Sequence, residues 1–392
     1  MRSIYKKLGG YIRQVDKRNS NARLGEDNLY GISVTKEFIV THANLVGVTF
    51  DSYKVVSPRQ FAYIPDTSRR GDKIAISLNT FGEDIIVSSI CSVFEIIDEN
   101  QLLPEYLMLW FMRPEFDRYA RFMSNGSARE VFDWDCMCGV ELPVPPISEQ
   151  RKIVHDYQVI TDRIALLQKM NENLEEQEDT IFWDFYSDDS WDKGHFSDLV
   201  VGNIPGDWGS DQPEGNSNAQ VTCIRGADIP GLSVGNTGDA PIRFILQKNY
   251  ISKALPTNAM VIEISGGSPT QSPGRIALLT DILRNKLNQR VICSNFCKAV
   301  TVKEDYLYFF YLAWRHLCKT KRLFDYETST IGLKTFDYQS FVTQESIKIP
   351  TIDGGKRLNT LIEPIRKMIV FNGLEIERLL NLQAAVLPNL MK

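Results

Sequence analysis

The stretch that most restricts what this chain can fold into runs from Leu142 to Ile181. Pro143, Pro145 and Pro146 end whatever precedes it, because a proline nitrogen carries no hydrogen and its ring blocks the preceding turn. Ser148 then stands where a helix N-cap is expected, with Glu149 in the first turn. Beyond it Ile153, Tyr157, Ile160, Ile164, Leu167, Asn171, Leu174, Glu178 and Ile181 follow alternating steps of four and three, which places them along one narrow seam of a long helix. Seven of those nine are apolar, so the seam needs a partner to cover it.

The pattern returns 205 residues later. Leu358, Ile362, Ile365, Ile369, Asn372, Ile376, Leu379, Gln383 and Val386 repeat the nine positions, and Pro145 and Ile147 return as Pro350 and Ile352. One amphipathic helix usually packs on its own domain, but two matched copies are better explained by pairing with each other. Antiparallel pairing sets Asn171 opposite Asn372 and Leu167 opposite Ile376. Pro364 is expected to kink the second helix or to mark its first turn.

The segments ahead of the helices repeat as well. Ile85 to Glu95 aligns with Val291 to Thr301, sharing Ile86 with Ile292, Ser88 with Ser294 and Cys91 with Cys297. Tyr106-Leu107 then answers Tyr306-Leu307, and Phe132-Asp133-Trp134 answers Phe336-Asp337-Tyr338. Strands are expected in KIAISL, DIIVSSICSVFEII, VTCIRGADI, MVIEIS, GRIALLT and QRVICSNFCKAVTV, which are rich in β-branched residues. Helices are expected in PEYLMLWFMRPEFDRYARFM, interrupted at Pro114, and in DYLYFFYLAWRHLCKT. Residues 202–218, dense in Gly, Pro, Asp and Asn, read as loop, and the two-residue step from Cys136 to Cys138 suits a strand. The expected class is α+β: two copies of one unit, each followed by a long helix, the helices forming an antiparallel coiled coil.

Net charge is -5, but its distribution says more than its sum. Residues 171–192 hold nine acids and no base, and the rest of the chain carries 44 bases against 40 acids. Residues 1–23 and 241–300 are basic, which suits phosphate contact as well as scattered surface charge. No apolar run is long enough to span a bilayer and MRSIYKKLGG lacks the apolar centre of a secretion signal, so the chain is expected in the cytoplasm, with no membrane partner. Seven irregularly placed cysteines fit reduced, buried thiols.

A catalytic set is not visible. The four histidines form no HExxH, and there is no GxSxG, no GxxxxGK[ST] and no glycine-rich turn opening a helix. The loop SGGSPTQSPGR, between two expected strands, is informative in another way. Ser265, Gly266, Gly267, Ser268, Thr270, Gln271, Ser272 and Arg275 combine backbone N-H groups, short polar side chains and a guanidinium, which suit phosphates and base edges; a solvated hairpin loop is the plainer alternative. In the first unit Asn79, in a much shorter loop, and Arg69, Arg70 and Lys73 are the parallel candidates.

LPVPPISEQRKIV resembles the Leu-Pro-x-Pro-Pro-x-x-Glu-Gln-x-x-Ile segment of the specificity subunits of type I restriction-modification enzymes, with Pro145, Pro146, Glu149 and Gln150 in place. The last helix is similar to theirs at Pro364, Asn372, Leu379, Leu382, Leu387, Pro388 and Met391, and IRGADI and the SGGSPTQSPGR loop look like pieces of a target recognition domain. The resemblance implies a non-catalytic reader of double-stranded DNA without a cofactor of its own. Residues 1–144 and 191–349 would each read half of a bipartite site, and helices at 145–190 and 350–392 would set the spacing. Two modification subunits, using S-adenosylmethionine, and restriction subunits, using ATP, would supply the chemistry. A stand-alone DNA-modifying enzyme and a coiled-coil scaffold with no DNA role are the rival readings.

Overall fold

The computed structural model describes the whole chain except residues 1–4, 21–22, 42–46, 69–70, 72, 125–129, 188–190, 269, 289, 331–332 and 391–392. Two compact units emerge, one built from residues 1–162 and 381–392, the other from residues 163–380. The division falls inside both long helices, Ile147–Tyr186 and Ile352–Leu390.

In the first unit four short strands form an antiparallel sheet in the order Ile12–Val15, Ser92–Ile96, Phe61–Tyr63, Ile76–Leu78. Alternation sends Phe61, Tyr63 and Phe94 to one face and Ala62 and Val93 to the other, and both faces are buried. Phe61 stacks on Phe94 at 4.8 Å, and Phe111, from the helix Pro104–Met112, meets both edge-on. A second helix, Pro114–Met123, follows the break at Pro114.

The second unit builds the same sheet from Val200–Pro205, Cys297–Val302, Ala259–Glu263 and Ile276–Leu279, in that order and again antiparallel. Met260 and Ile262 face Phe310 and Trp314 of the helix Leu307–Lys319, while Val261 packs with Ile224, Leu255 and Val291 on the other side. Ser92–Ile96 and Cys297–Val302 thus hold equivalent central places, as the alignment of the two segments requires. Each unit is also closed by its ends: Tyr5–Lys7 pairs with Glu141–Pro143, and Asp192–His195 with Ser346–Ile349. The second unit adds a three-stranded sheet, Ile242–Leu246, Ser217–Ile224 and Val291–Cys293.

The helix entrances differ from expectation in an informative way. Ser148 does not cap: the helix begins at Ile147, and the N-H groups of Glu149 and Gln150 turn back to the Pro146 carbonyl. Gln150 is fully buried instead, donating to Gln101 O and Pro145 O and accepting from Leu103 N-H. In the second unit Asn359 does this work, donating to Glu304 O and accepting from Tyr308 N-H. Pro364 does not start the second helix, which begins twelve residues earlier at Ile352 and runs through it. Cys136 and Cys138 lie on a short helix, Trp134–Cys138, because Asp133 caps it by accepting from Cys136 N-H. Val200–Pro205 is strand at the start of what reads as loop, held by Cys297–Val302.

The long helices run antiparallel in the second unit, where Arg163 meets Glu375, Asn171 meets Asn372 and Glu178 meets Arg366. Asn372 Nδ2 donates to Asn171 Oδ1 at 2.9 Å, and Asn171 Nδ2 donates to Ile369 O, so this polar layer is satisfied. Ile164, Leu167 and Ile369 are buried there, and Leu174, Ile365, Ile376 and Leu379 half-buried. In the first unit Ile153 and Tyr157 pack with Leu387, Ile160 is half-buried, and Gln383 Nε2 donates to Thr161 Oγ1. Gly373 brings the second helix close against Val234 and Gly235, where a β-carbon would collide with backbone.

Candidate nucleic-acid interface

The loop after Glu263 is carried by the register of its two strands, Ile262 opposite Ile276 and Ala259 opposite Leu279. Its base is stitched down: Ile264 and Ser265 N-H donate to Phe296 O, Gly266 N-H donates to Lys334 O, and Ile264 O accepts from Phe336 N-H. Gly266 and Gly267 have φ of 144° and 86°, which a β-branched residue would strain. At the turn, Ser268 and Gln271 exchange backbone hydrogen bonds at 2.8 and 3.2 Å. Gly267 and Thr270 are exposed there, and Ser268 and Gln271 half-buried.

Arg275, expected to reach DNA, instead holds the loop. Its Nε and Nη2 donate to the two carboxylate oxygens of Glu263 at 2.8 and 2.9 Å, and Nη2 also donates to Gly226 O at 3.0 Å. The Glu263 side chain is 4% exposed, so the guanidinium is the counter-charge of a buried carboxylate. Gly226 and Gly266 leave room for that carboxylate, since a β-carbon at either would meet Glu263 Oε1 at 2.7 or 2.5 Å.

Four loops converge beside this pair on a cleft of about 500 Å³, with Trp208, Arg225, Ser265, Asn295 and Phe296 in its wall. Phe296 is exposed, Arg243 lies over the Trp208 ring at 4.2 Å, and Arg225 is held by Asp228. Nothing in local sequence pattern marks Trp208 or Phe296; the signal available was their isolation as aromatics in polar turns.

The first unit treats its candidates differently. Asn79 is 1% exposed and its side chain is fully engaged, donating to Val56 O and Glu83 O and accepting from Phe81 N-H. Its side chain shapes the turn from inside and is closed off from solvent. Phe81 stands at the tip, stacked on Tyr30 at 4.9 Å. Lys73 is exposed, whereas Arg69 and Arg70 lie outside the described residues.

The basic stretches are partly neutralised by neighbours distant in sequence. Arg243 pairs with Asp211, Lys253 with Asp207, Arg13 with Glu95 and Lys17 with Asp84. Lys248, Lys286 and Arg290 remain exposed in the second unit. Among the described residues no group of three or more His, Cys, Asp or Glu is placed to hold a metal ion, and no helix is long and apolar enough to cross a membrane.

No family model matches the chain. It is 24% identical over 317 residues to the specificity subunit of the type I restriction enzyme MjaIX of Methanocaldococcus jannaschii, an alignment covering 76% of this chain and 70% of that protein. Among solved structures, the S subunit of a type I restriction-modification system from M. genitalium superposes with a TM-score of 0.56 at 11% identity, over 99% of this chain and 96% of that one. A chain from a structure of type I restriction-modification complex assembly aligns over 100% of this chain and 98% of its own, with 14% identity and a TM-score of 0.44. The resemblance carried by the proline-rich helix entrance and the last helix is therefore met in sequence by one relative and in fold by the other: this chain is similar to the specificity subunits of type I restriction-modification enzymes.

Proposed function

We propose that this chain is the non-catalytic, sequence-reading subunit of a cytoplasmic type I restriction-modification complex. Residues 1–144 and 191–349 each read one half of a bipartite, asymmetric site in duplex DNA, and the helices at 145–190 and 350–392 set the distance between the halves. Modification subunits, two per chain, and restriction subunits bind to it and supply methylation and cleavage. The observation that supports this reading best is duplication with divergence: the same four-stranded sheet order occurs twice, and each copy leads into a helix of 40 or 39 residues with the same seam. The segments that join the same two sheet strands in each copy, 264–275 in the second unit and 64–75 in the first, carry different residues, as two readers of different half-sites require. The Asn79 loop follows the last strand of its sheet and is not the counterpart of the Ser265 to Arg275 loop.

The test is selection of bound sequences from random duplex DNA by the chain mixed with its modification subunit. Two short, different blocks separated by unconstrained base pairs are expected. A single continuous block would refute the bipartite reading, and methyl transfer or cleavage by the purified chain alone would refute its non-catalytic role.

A further inference from the structure

Ser272 is 8% exposed, yet its hydroxyl has no hydrogen-bond partner among the described residues, and neither does the buried side-chain nitrogen of Gln271. Buried donors are almost always satisfied, so two orphans on adjacent residues call for an occupant. Both residues line a pocket of about 170 Å³, together with Thr270, Arg275, Lys319 and Lys321, and among the described residues no acidic side chain contributes to its wall.

The pocket is built rather than accidental. Trp314 Nε1 donates to Gly274 O at 2.8 Å, and Gly274 sits so close to Leu323 that a β-carbon there would collide, which fixes the far arm of the loop against the helix Leu307–Lys319. Lys321 is held at φ 62°, a left-handed conformation that is uncommon for a residue with a β-carbon. Its carbonyl accepts from Phe324 N-H and its N-H donates to Cys318 O. Of the pocket's cations, Arg275 is bound to Glu263 and Lys319 to Asp179, whereas Lys321 is exposed and in no ion pair among the described residues.

The geometry points to a single backbone phosphate of bound DNA as the occupant, with Lys321 supplying the charge and the Gln271 amide and Ser272 hydroxyl, both closed off from solvent in this structure, rotating to donate to its oxygens. An oxyanion answers all three groups at once, and the volume holds one phosphate with a water or two but not a nucleoside. The inference rests on the proposed reading of the chain as a DNA reader and adds to it which side of the recognition loop holds the backbone. A phosphate anchored there would orient the exposed tip at Gly267 and Thr270 without itself carrying sequence information.

Binding of the chain with its modification subunit to the selected duplex, measured against salt concentration, tests this. Lys321→Gln should weaken binding several-fold, equally on all sequences, and make the slope of log affinity against log salt shallower by about 0.9, whereas Lys321→Arg should keep the slope. Ser272→Ala should weaken binding without changing the slope, because it removes a neutral donor. One methylphosphonate in the duplex at the anchored position should abolish the difference between wild type and Lys321→Gln. Wild type that binds its site while Lys321→Gln and Ser272→Ala match it in affinity and slope would overturn the pocket and leave the DNA-reading role intact. Wild type that binds no DNA would overturn that role and the pocket with it. Inorganic phosphate that raises the unfolding temperature of wild type but not of Lys321→Gln, with DNA binding equal in both, would assign the pocket to free phosphate and refute the DNA assignment.

Discussion

Arg366→Met should be among the most destabilising single changes in the second unit, because it strips the nearest cation from a carboxylate with no access to solvent. Glu178 is 0% exposed and the Arg366 side chain 2%. Arg366 donates through Nε and Nη2 to the two Glu178 oxygens and through Nη1 to Ser233 O, and Arg315 Nη1 donates to Glu178 Oε2 at 2.9 Å. Burial pushes the Glu178 carboxyl above its ordinary range, against the pull of Arg366 and Arg315, so desolvation is the dominant effect at this site. Breaking such a pair from one side typically costs about 3–5 kcal/mol. Arg315 stays in contact, which places the expected loss near the lower end, about 3 kcal/mol, with about 1 kcal/mol more from the orphaned Ser233 carbonyl. Removing both charges is a different perturbation. Glu178→Leu with Arg366→Met leaves no buried carboxylate, Arg315 retains Glu175, and stability should return to within about 2 kcal/mol of wild type. Urea unfolding followed by a probe in residues 163–380 gives both numbers, and adding the Glu178→Leu single mutant completes the cycle that yields the coupling between the pair. A single mutant that costs less than about 1 kcal/mol, or a double mutant no better than the single, would refute the reasoning. The 205-residue offset carries Glu178 to Gln383 and Arg366 to Thr161, and those two share a neutral hydrogen bond at 3.0 Å, so the seam is duplicated but its buried charge is not.

Arg275→Ala should act on folding before it acts on DNA: leaving Glu263 buried without its counter-charge is expected to cost about 3 kcal/mol in thermal unfolding, and an unchanged melting temperature would return Arg275 to the role of a direct contact. The thiols give a pH prediction. Burial pushes Cys297 up to about 11 and Cys223 up to about 12, so the stability they contribute is fully present below the ordinary thiol value near 9 and is lost as pH rises through 11 to 12. Alkylation at pH 9 should therefore be slower in the native protein than in the unfolded chain by about fifty-fold at Cys297 and about five-hundred-fold at Cys223 from ionisation alone, and equal rates would show these cysteines to be accessible thiolates.

What the sequence determined by itself was whatever depends on period and neighbours. Steps of four and three specify a helical seam wherever the partner lies, β-branched runs specify strands, and a run of prolines specifies where a helix cannot yet have begun, so the duplicated α+β plan and the Asn171–Asn372 layer were legible without coordinates. Polar side chains are another matter, since their role is decided by which group arrives opposite them. Arg275 reads as a ligand-seeking cation until Glu263 is placed under it, and Asn79 reads as a contact until Val56 and Glu83 close around its amide. Glu178 and Arg366, 188 residues apart, occupy a seam position and its neighbourhood that periodicity marks only as inward. The orphaned donors of Gln271 and Ser272 cannot be seen in any string of letters, because being unsatisfied is a property of the folded surroundings. Tertiary structure alone brought Lys321 beside them, through a turn that follows a helix packed under the loop.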